Sequence, residues 1–97
     1  MARNQKLTRL VAGRSVTGLT ADRSRALLSF DDGSVMTVLL GAPAPADPAL
    51  GRIRAVRQAG TTLQLDFDEL PTVAFTLAEA TASVMLRDRN HLLEYAD

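Results

Sequence analysis

The sequence contains no cysteine. Disulfides, thiolate metal sites and cysteine nucleophiles are therefore excluded. A small secreted domain is ordinarily stapled by disulfides, so a cytoplasmic location is expected. Tryptophan is also missing, and the aromatic residues are Phe30, Phe67, Phe75 and Tyr95 alone. That leaves little with which to stack on nucleobases. No apolar run approaches the roughly 20 residues of a membrane helix. The polar start, Met1 to Lys6, leads into no long apolar stretch, so neither a membrane span nor a secretory signal is expected. Glycine-rich phosphate loops and dinucleotide fingerprints are absent, and no cofactor is expected.

What is present suits one globular domain. The chain has 97 residues, 46% hydrophobic and 23% charged, which is enough for one core and too little for two domains. The net charge is zero, but the signs are separated. Arg3, Lys6, Arg9, Arg14, Arg23 and Arg25 precede residue 26 with Asp22 as the single acid, and the other acids all follow. A basic front can draw an anionic partner such as RNA. It can equally be neutralised by the acidic remainder, within the fold or between subunits.

Residues 4–12 read as a short helix. Asn4 suits the N-cap, Leu7, Leu10 and Val11 share a face, and Gly13 suits the left-handed position beyond the end. A period of two follows. Strands are expected over Ser15–Thr20, Arg25–Asp31 and Ser34–Leu40, the last two joined by a two-residue Asp32-Gly33 turn. That turn would pair Phe30 with Val35, Leu28 with Thr37 and Ala26 with Leu39. Residues 41–51 carry Pro43, Pro45 and Pro48 and read as a connection. Further strands are expected over Arg52–Gln58, Thr62–Asp68 and Thr72–Leu77. A helical turn over 77–82 is suggested by a capping-box pattern, Thr76 to Glu79. Ser83–Asp88 and His91–Tyr95 complete a hairpin about Arg89-Asn90.

The pattern recurs. The unit 14–40 is echoed by 52–77 at an offset of about 37–38 residues, a fitting length for a three-stranded meander. The expected fold is mostly β: a small barrel or highly curved antiparallel sheet of seven or eight strands, with one short N-terminal helix. A two-sheet sandwich is the rival.

In the two-residue-turn register the first unit is apolar on both sides. Ala26, Leu28, Phe30 and Val35 take one face, and Leu27, Met36, Val38 and Leu40 take the other. A sheet apolar on both faces needs cover on both. This predicts a homo-oligomer whose interface is Leu27, Met36, Val38 and Leu40.

Catalytic groupings are sparse. Ser83, His91 and Asp88 supply triad residue types without a nucleophile elbow. Asp31-Asp32-Gly33 lacks the Asp-Thr/Ser-Gly of aspartic proteases. Asp66, Asp68 and Glu69, with Asp31 and Asp32, lack the dedicated loop that calcium demands, so no metal site is expected.

Two segments resemble motifs of the Sm-like family. Leu27-Leu28-Ser29-Phe30-Asp31 is similar to its first motif, with a leucine three positions before Phe-Asp. Leu86-Arg87-Asp88-Arg89-Asn90 is similar to its second, an apolar residue followed by Arg-Gly-Asn, with Asp88 in place of the glycine. The resemblance implies a helix followed by a strongly bent sheet, ring assembly and RNA binding. Asp31, Arg87 and Asn90 would then lie near RNA, with Arg3, Lys6, Arg9, Arg14 and Arg89 adding basic surface.

The sequence thus points to a non-enzymatic binding or assembly module that acts as a homo-oligomer. An Sm-like RNA binder is the alternative, and an enzyme whose site forms between subunits is a third reading.

Overall fold

The computed structural model describes residues 2–97. It has one helix and eight strands in two antiparallel sheets. Helix α1 spans Gln5–Val11. The strands are β1 Val16–Ala21, β2 Arg25–Phe30, β3 Val35–Leu39, β4 Ile53–Ala59, β5 Thr62–Phe67, β6 Val73–Thr76, β7 Val84–Arg87 and β8 Leu93–Ala96. One sheet runs β1-β2-β3-β7-β8 and the other β4-β5-β6. The mostly antiparallel β architecture with one short helix agrees with the sequence pattern, and the two sheets do not merge into one continuous ladder.

Helix α1 begins where Asn4 accepts the Leu7 amide at 3.0 Å. Gly13, just beyond it, has φ +89° and turns the chain back toward Ile53. Seven residues are marginal as an isolated helix, so packing must hold it. Leu7, Thr8 and Val11 are buried on the side facing β4, and residues 2–4 pair with the outer edge of that strand.

The β2–β3 turn overturns the expected register. Ser34 pairs with Phe30, since the Phe30 amide donates to the Ser34 carbonyl at 2.9 Å. The loop therefore holds three residues, Asp31, Asp32 and Gly33. The Asp32 carboxylate accepts both the amide and the hydroxyl of Ser34, which draws Ser34 into the pair. Gly33 takes the left-handed position at φ +86°, the usual form of a three-residue hairpin. Leu28 now faces Met36, and Ala26 faces Val38.

A one-residue slip moves every side chain of a strand to the other face. Met36, Val38 and Leu40 thus join Ala26, Leu28 and Phe30 inside, at 0%, 0% and 6% exposure. The expected oligomer patch is corrected accordingly. Three of its four members lie in the chain's own core, and only half-buried Leu27 remains outside. The sheet is apolar inward and mixed outward, as antiparallel sheets commonly are.

The core lies between the two sheets. Leu28, Phe30, Met36, Val38 and Leu86 meet Ile53, Leu63, Leu65, Phe67 and Phe75, with Leu7 and Val11 closing one side. The proposed turn of helix at 77–82 does not form. Leu77 instead pairs with Leu40 in an isolated bridge, and the Ser83 hydroxyl, not a helical ladder, satisfies the amide and carbonyl of Glu79.

The echo in the sequence is structural. Two bridges tie the sheets together, Ser15 with Arg52 and Leu40 with Leu77, each across a step of 37 residues. Hydrogen bonds come in matching pairs at the same step. The Val16 amide donates to the Gly51 carbonyl as the Ile53 amide donates to that of Arg14. The Gly41 amide donates to the Thr76 carbonyl as the Ala78 amide donates to that of Leu39. The ladders agree too: Leu28 opposite Met36 answers Leu65 opposite Val73, and bulges follow both Val16 and Ile53. Reciprocal pairing of equivalent residues is the signature of a two-fold axis. The two meanders are related by a pseudo-two-fold.

Candidate functional site

With the register settled, the outer face of the larger sheet can be read row by row. Thr20, Leu27, Thr37, Met85 and Ala96 lie side by side across β1, β2, β3, β7 and β8. Val35, Arg87 and Leu93 form part of the next row. Leu39 and Met85 are 41% and 38% exposed. Large apolar groups therefore stand in water on a face that the ladder holds rigid.

At one end this face deepens into a cleft of about 500 Å³. Thr37, Leu39 and Met85 form its floor, residues 81–83 one wall, and Ala96 with Asp97 the far end. The wall is built by local chemistry. The Ser83 hydroxyl donates to the Glu79 carbonyl at 2.8 Å and accepts the Glu79 amide at 3.0 Å. Ala82 is held at φ +60°, where a side chain other than glycine is uncommon. The far end is fixed because Asp97 and Val84 exchange both backbone hydrogen bonds, each at 2.8 Å. The lining is dominated by methyl, methylene and thioether groups, with the Asp97 carboxylate as the nearby charge. Such a surface gains by giving up water to another apolar group.

The opposite end of the sheet is polar. The β2–β3 loop and the β7–β8 loop meet there, and a methyl on Gly33 would lie 2.8 Å from the Arg89 Cβ. Arg14 anchors this end. Its guanidinium grips both oxygens of Glu94 at 2.9 and 3.0 Å, reaches the Ser34 hydroxyl at 3.0 Å and lies 3.2 Å from Asp32. The hydrogen-bonded Glu94 carboxylate raises the Arg14 pKa above its ordinary value, burial opposing. Partial burial pushes the Asp32 carboxyl up, but Ser34 and the Arg14 charge outweigh it and leave it below the ordinary range.

The residues expected near RNA are dispersed in role. Asp31 accepts the Ser15 amide, and the Arg87 guanidinium braces the Arg87–His91 loop through the His91 carbonyl. The amides of Asn90 and Leu92 both donate to the Asp88 carboxylate, which shapes the turn. Arg3 lies in the bridge to Arg57 at the far edge of β4, and Lys6 sits 5.8 Å above the Tyr95 ring. Arg9 is exposed at the end of α1. The structure thus brings Asp31, Arg14, Arg87, Arg89 and Asn90 to one end, while Arg3 stands apart.

The triad types are not assembled. Ser83 precedes β7 and is tied to Glu79, His91 follows β7 at its other end, and Asp88 is engaged by backbone amides. Asp66 and Asp68 each hold an arginine: Arg57 at 2.7 Å and Arg52 at 2.9 Å. Among the described residues no group of three or more His, Asp or Glu side chains is placed to hold a metal ion, and no helix is long and apolar enough to cross a membrane.

Sequence reasoning missed the cleft because it turned the wrong face of β3 outward. Leu39 carried part of the signal, since it falls outside the inward alternation once Phe30 is paired with Ser34, and Met85 stands between buried Val84 and Leu86 on β7. No family model matches the chain, and neither a curated protein nor a solved structure matches it.

Proposed function

We propose that this protein is a non-enzymatic binding module of the cytoplasm, acting as a homo-oligomer, whose curved, barrel-like scaffold presents the Leu39–Met85 cleft to an apolar segment of a protein partner. One observation carries this reading: a 500 Å³ apolar cleft that opens from a row of outward side chains running across the sheet. A small ligand needs only the cleft. The row beyond it, through Met85 to Leu27, suits the side chains of a chain lying across the strands. The polar groups of its lining are the Thr37 and Thr81 hydroxyls, the Ser83 hydroxyl tied to the Glu79 backbone, and the Asp97 carboxylate, set among apolar side chains that favour binding.

An apolar fluorescent dye, 8-anilinonaphthalene-1-sulfonate, reports on such a surface. Wild-type protein brightens the dye, and both Leu39→Glu and Met85→Glu abolish the signal while circular dichroism is unchanged. Equal brightening by wild type and variants sinks the proposal.

RNA binding in the Sm-like manner is the second reading. The meeting of the Asp31–Gly33 and Asp88–Leu92 loops favours it, because the two motif fragments then share one end. Of its cations, Arg14 is neutralised by Glu94 and Asp32. Salt-sensitive retention of single-stranded RNA, lost in Arg89→Ala, would support it.

A further inference from the structure

The pseudo-two-fold makes β4 and β1 equivalent, yet their outer edges differ. On β4, Val56 and Gln58 turn backbone groups away from β5. The Val56 carbonyl accepts the Asn4 amide, the Val56 amide donates to the Thr8 hydroxyl, and the Gln58 amide donates to the Ala2 carbonyl. The 37-residue step carries Val56 and Gln58 onto Leu19 and Ala21 of β1. Among the described residues, no segment outside the ladder gives those two a backbone hydrogen bond. We propose that the Leu19–Ala21 edge docks an extended segment of a protein partner, apolar with a lysine or arginine, which adds antiparallel to β1 as residues 2–4 add to β4.

The hydrogen-bond phase of the sheet turns these groups outward. The Asp22 amide donates to the Arg25 carbonyl, so the pairs that bond across the β1–β2 ladder are Asp22 with Arg25 and, two residues on, Thr20 with Leu27. The alternate residues, Leu19 and Ala21, present amide and carbonyl to the free side. The bulge at the start of β1 does not close this edge. β4 has the equivalent bulge between Ile53 and Ala55 and is still paired beyond it by Arg3 at Arg57. Charge and proline are the other devices that blunt an edge, and Thr17 to Ala21 contains neither.

The neighbouring connection shows why the edge stays open and what fits it. Residues 45–50 run beside it, but Pro45 and Pro48 have no amide to offer. Between loop and strand lies a groove of about 230 Å³, lined by Leu19, Ala21, Pro45, Asp47, Pro48 and Leu50. In strand addition the main chain supplies affinity and such a groove takes alternate side chains. Asp47 is the charged residue of this lining, is exposed, and forms no ion pair among the described residues. Its carboxylate selects a cation on the incoming segment. The groove shares no residue with the Leu39–Met85 cleft and is a second, separate surface.

Amide hydrogen exchange followed by NMR tests this on the whole chain. In the free protein the Leu19 and Ala21 amides exchange readily while those of Val56 and Gln58 are protected. The probes are two short capped peptides, one alternating valine with lysine, the other valine with glutamate. The lysine peptide slows exchange at Leu19 and Ala21, about fivefold at about four times its dissociation constant, and the glutamate peptide does not. Asp47→Lys reverses that preference with unchanged circular dichroism. Ala21→Pro removes an amide that β2 does not use, so the fold survives and the slowing at Leu19 is lost. Four results overturn the proposal. Leu19 and Ala21 are as protected as Val56 in the free protein, millimolar lysine peptide leaves their exchange unchanged, both peptides act alike, or protection grows with protein concentration alone, which assigns the edge to a second copy.

Discussion

The Thr8 hydroxyl donates to the Val56 carbonyl at 3.2 Å and accepts the Val56 amide at 2.9 Å. A single buried side chain of α1 thereby closes the edge of β4. The carbonyl has a second donor in the Asn4 amide, whereas the amide depends on Thr8. Thr8→Val keeps the shape and strands that amide in a buried place. The expected loss is about 1–3 kcal/mol, read from urea unfolding, and Thr8→Ser restores most of it. A Thr8→Val protein as stable as wild type would show that water reaches the strand edge.

Gly33 is constrained twice. Its φ of +86° disfavours any other residue, and a Cβ would press on the Arg89 Cβ at 2.8 Å. Left-handed backbone alone costs about 1–2 kcal/mol, so Gly33→Ala is expected to lose at least that much. Adding Arg89→Gly removes the contact but not the strained angle, and the double variant recovers part of the loss. Thermal unfolding of the three proteins checks this, and full recovery would assign the whole effect to the contact.

Met36 separates the observed register from the one the Asp-Gly turn suggested, and Met85 on β7 serves as its exposed counterpart. Met36 has no exposure and Met85 has 38%. Met36→Glu buries an unpaired carboxylate and is expected to cost about 3 kcal/mol or more, enough to unfold a small domain. Met85→Glu leaves the fold intact. A folded, stable Met36→Glu protein would restore the slipped register.

Acid weakens the smaller sheet in a defined direction. Hydrogen bonds from the Arg57 guanidinium hold the Asp66 carboxyl below its ordinary pKa; burial opposes them and the Thr72 hydroxyl assists. A carboxylate depressed in the folded state contributes stability that is fully present above the unfolded value, about pH 4, and is lost as pH falls through the folded value. Stability is expected to drop below about pH 4, and Asp66→Asn to be less stable at neutral pH with a shallower acid limb. Identical acid limbs in denaturant titrations would place the effect elsewhere.

The strand pattern was legible because alternation is local. Leu63, Leu65 and Phe67 announce β5, Val73 and Phe75 announce β6, and all five are buried. Asn4 and Gly13 marked the helix by the groups they satisfy. Two errors share one origin. Asp32 and Ser34 form a side-chain contact that lengthens the turn by one residue, and composition alone cannot weigh it against the two-residue form. The Thr76–Glu79 capping pattern was likewise sound locally, but Leu77 gains more by pairing with Leu40 across the molecule. Thr8 carried no signal at all, because its partner lies 48 residues away.

The sequence by itself determined the antiparallel β class, the strand boundaries to within a residue or two at most positions, and a recurring pattern at an offset of about 37–38 residues. These follow from side-chain period and turn chemistry within a few residues of chain. Only the tertiary structure decided which face of β3 is inside and that the echo is a pseudo-two-fold. Those depend on contacts between distant segments, where one residue of register moves a whole strand's side chains from water to core.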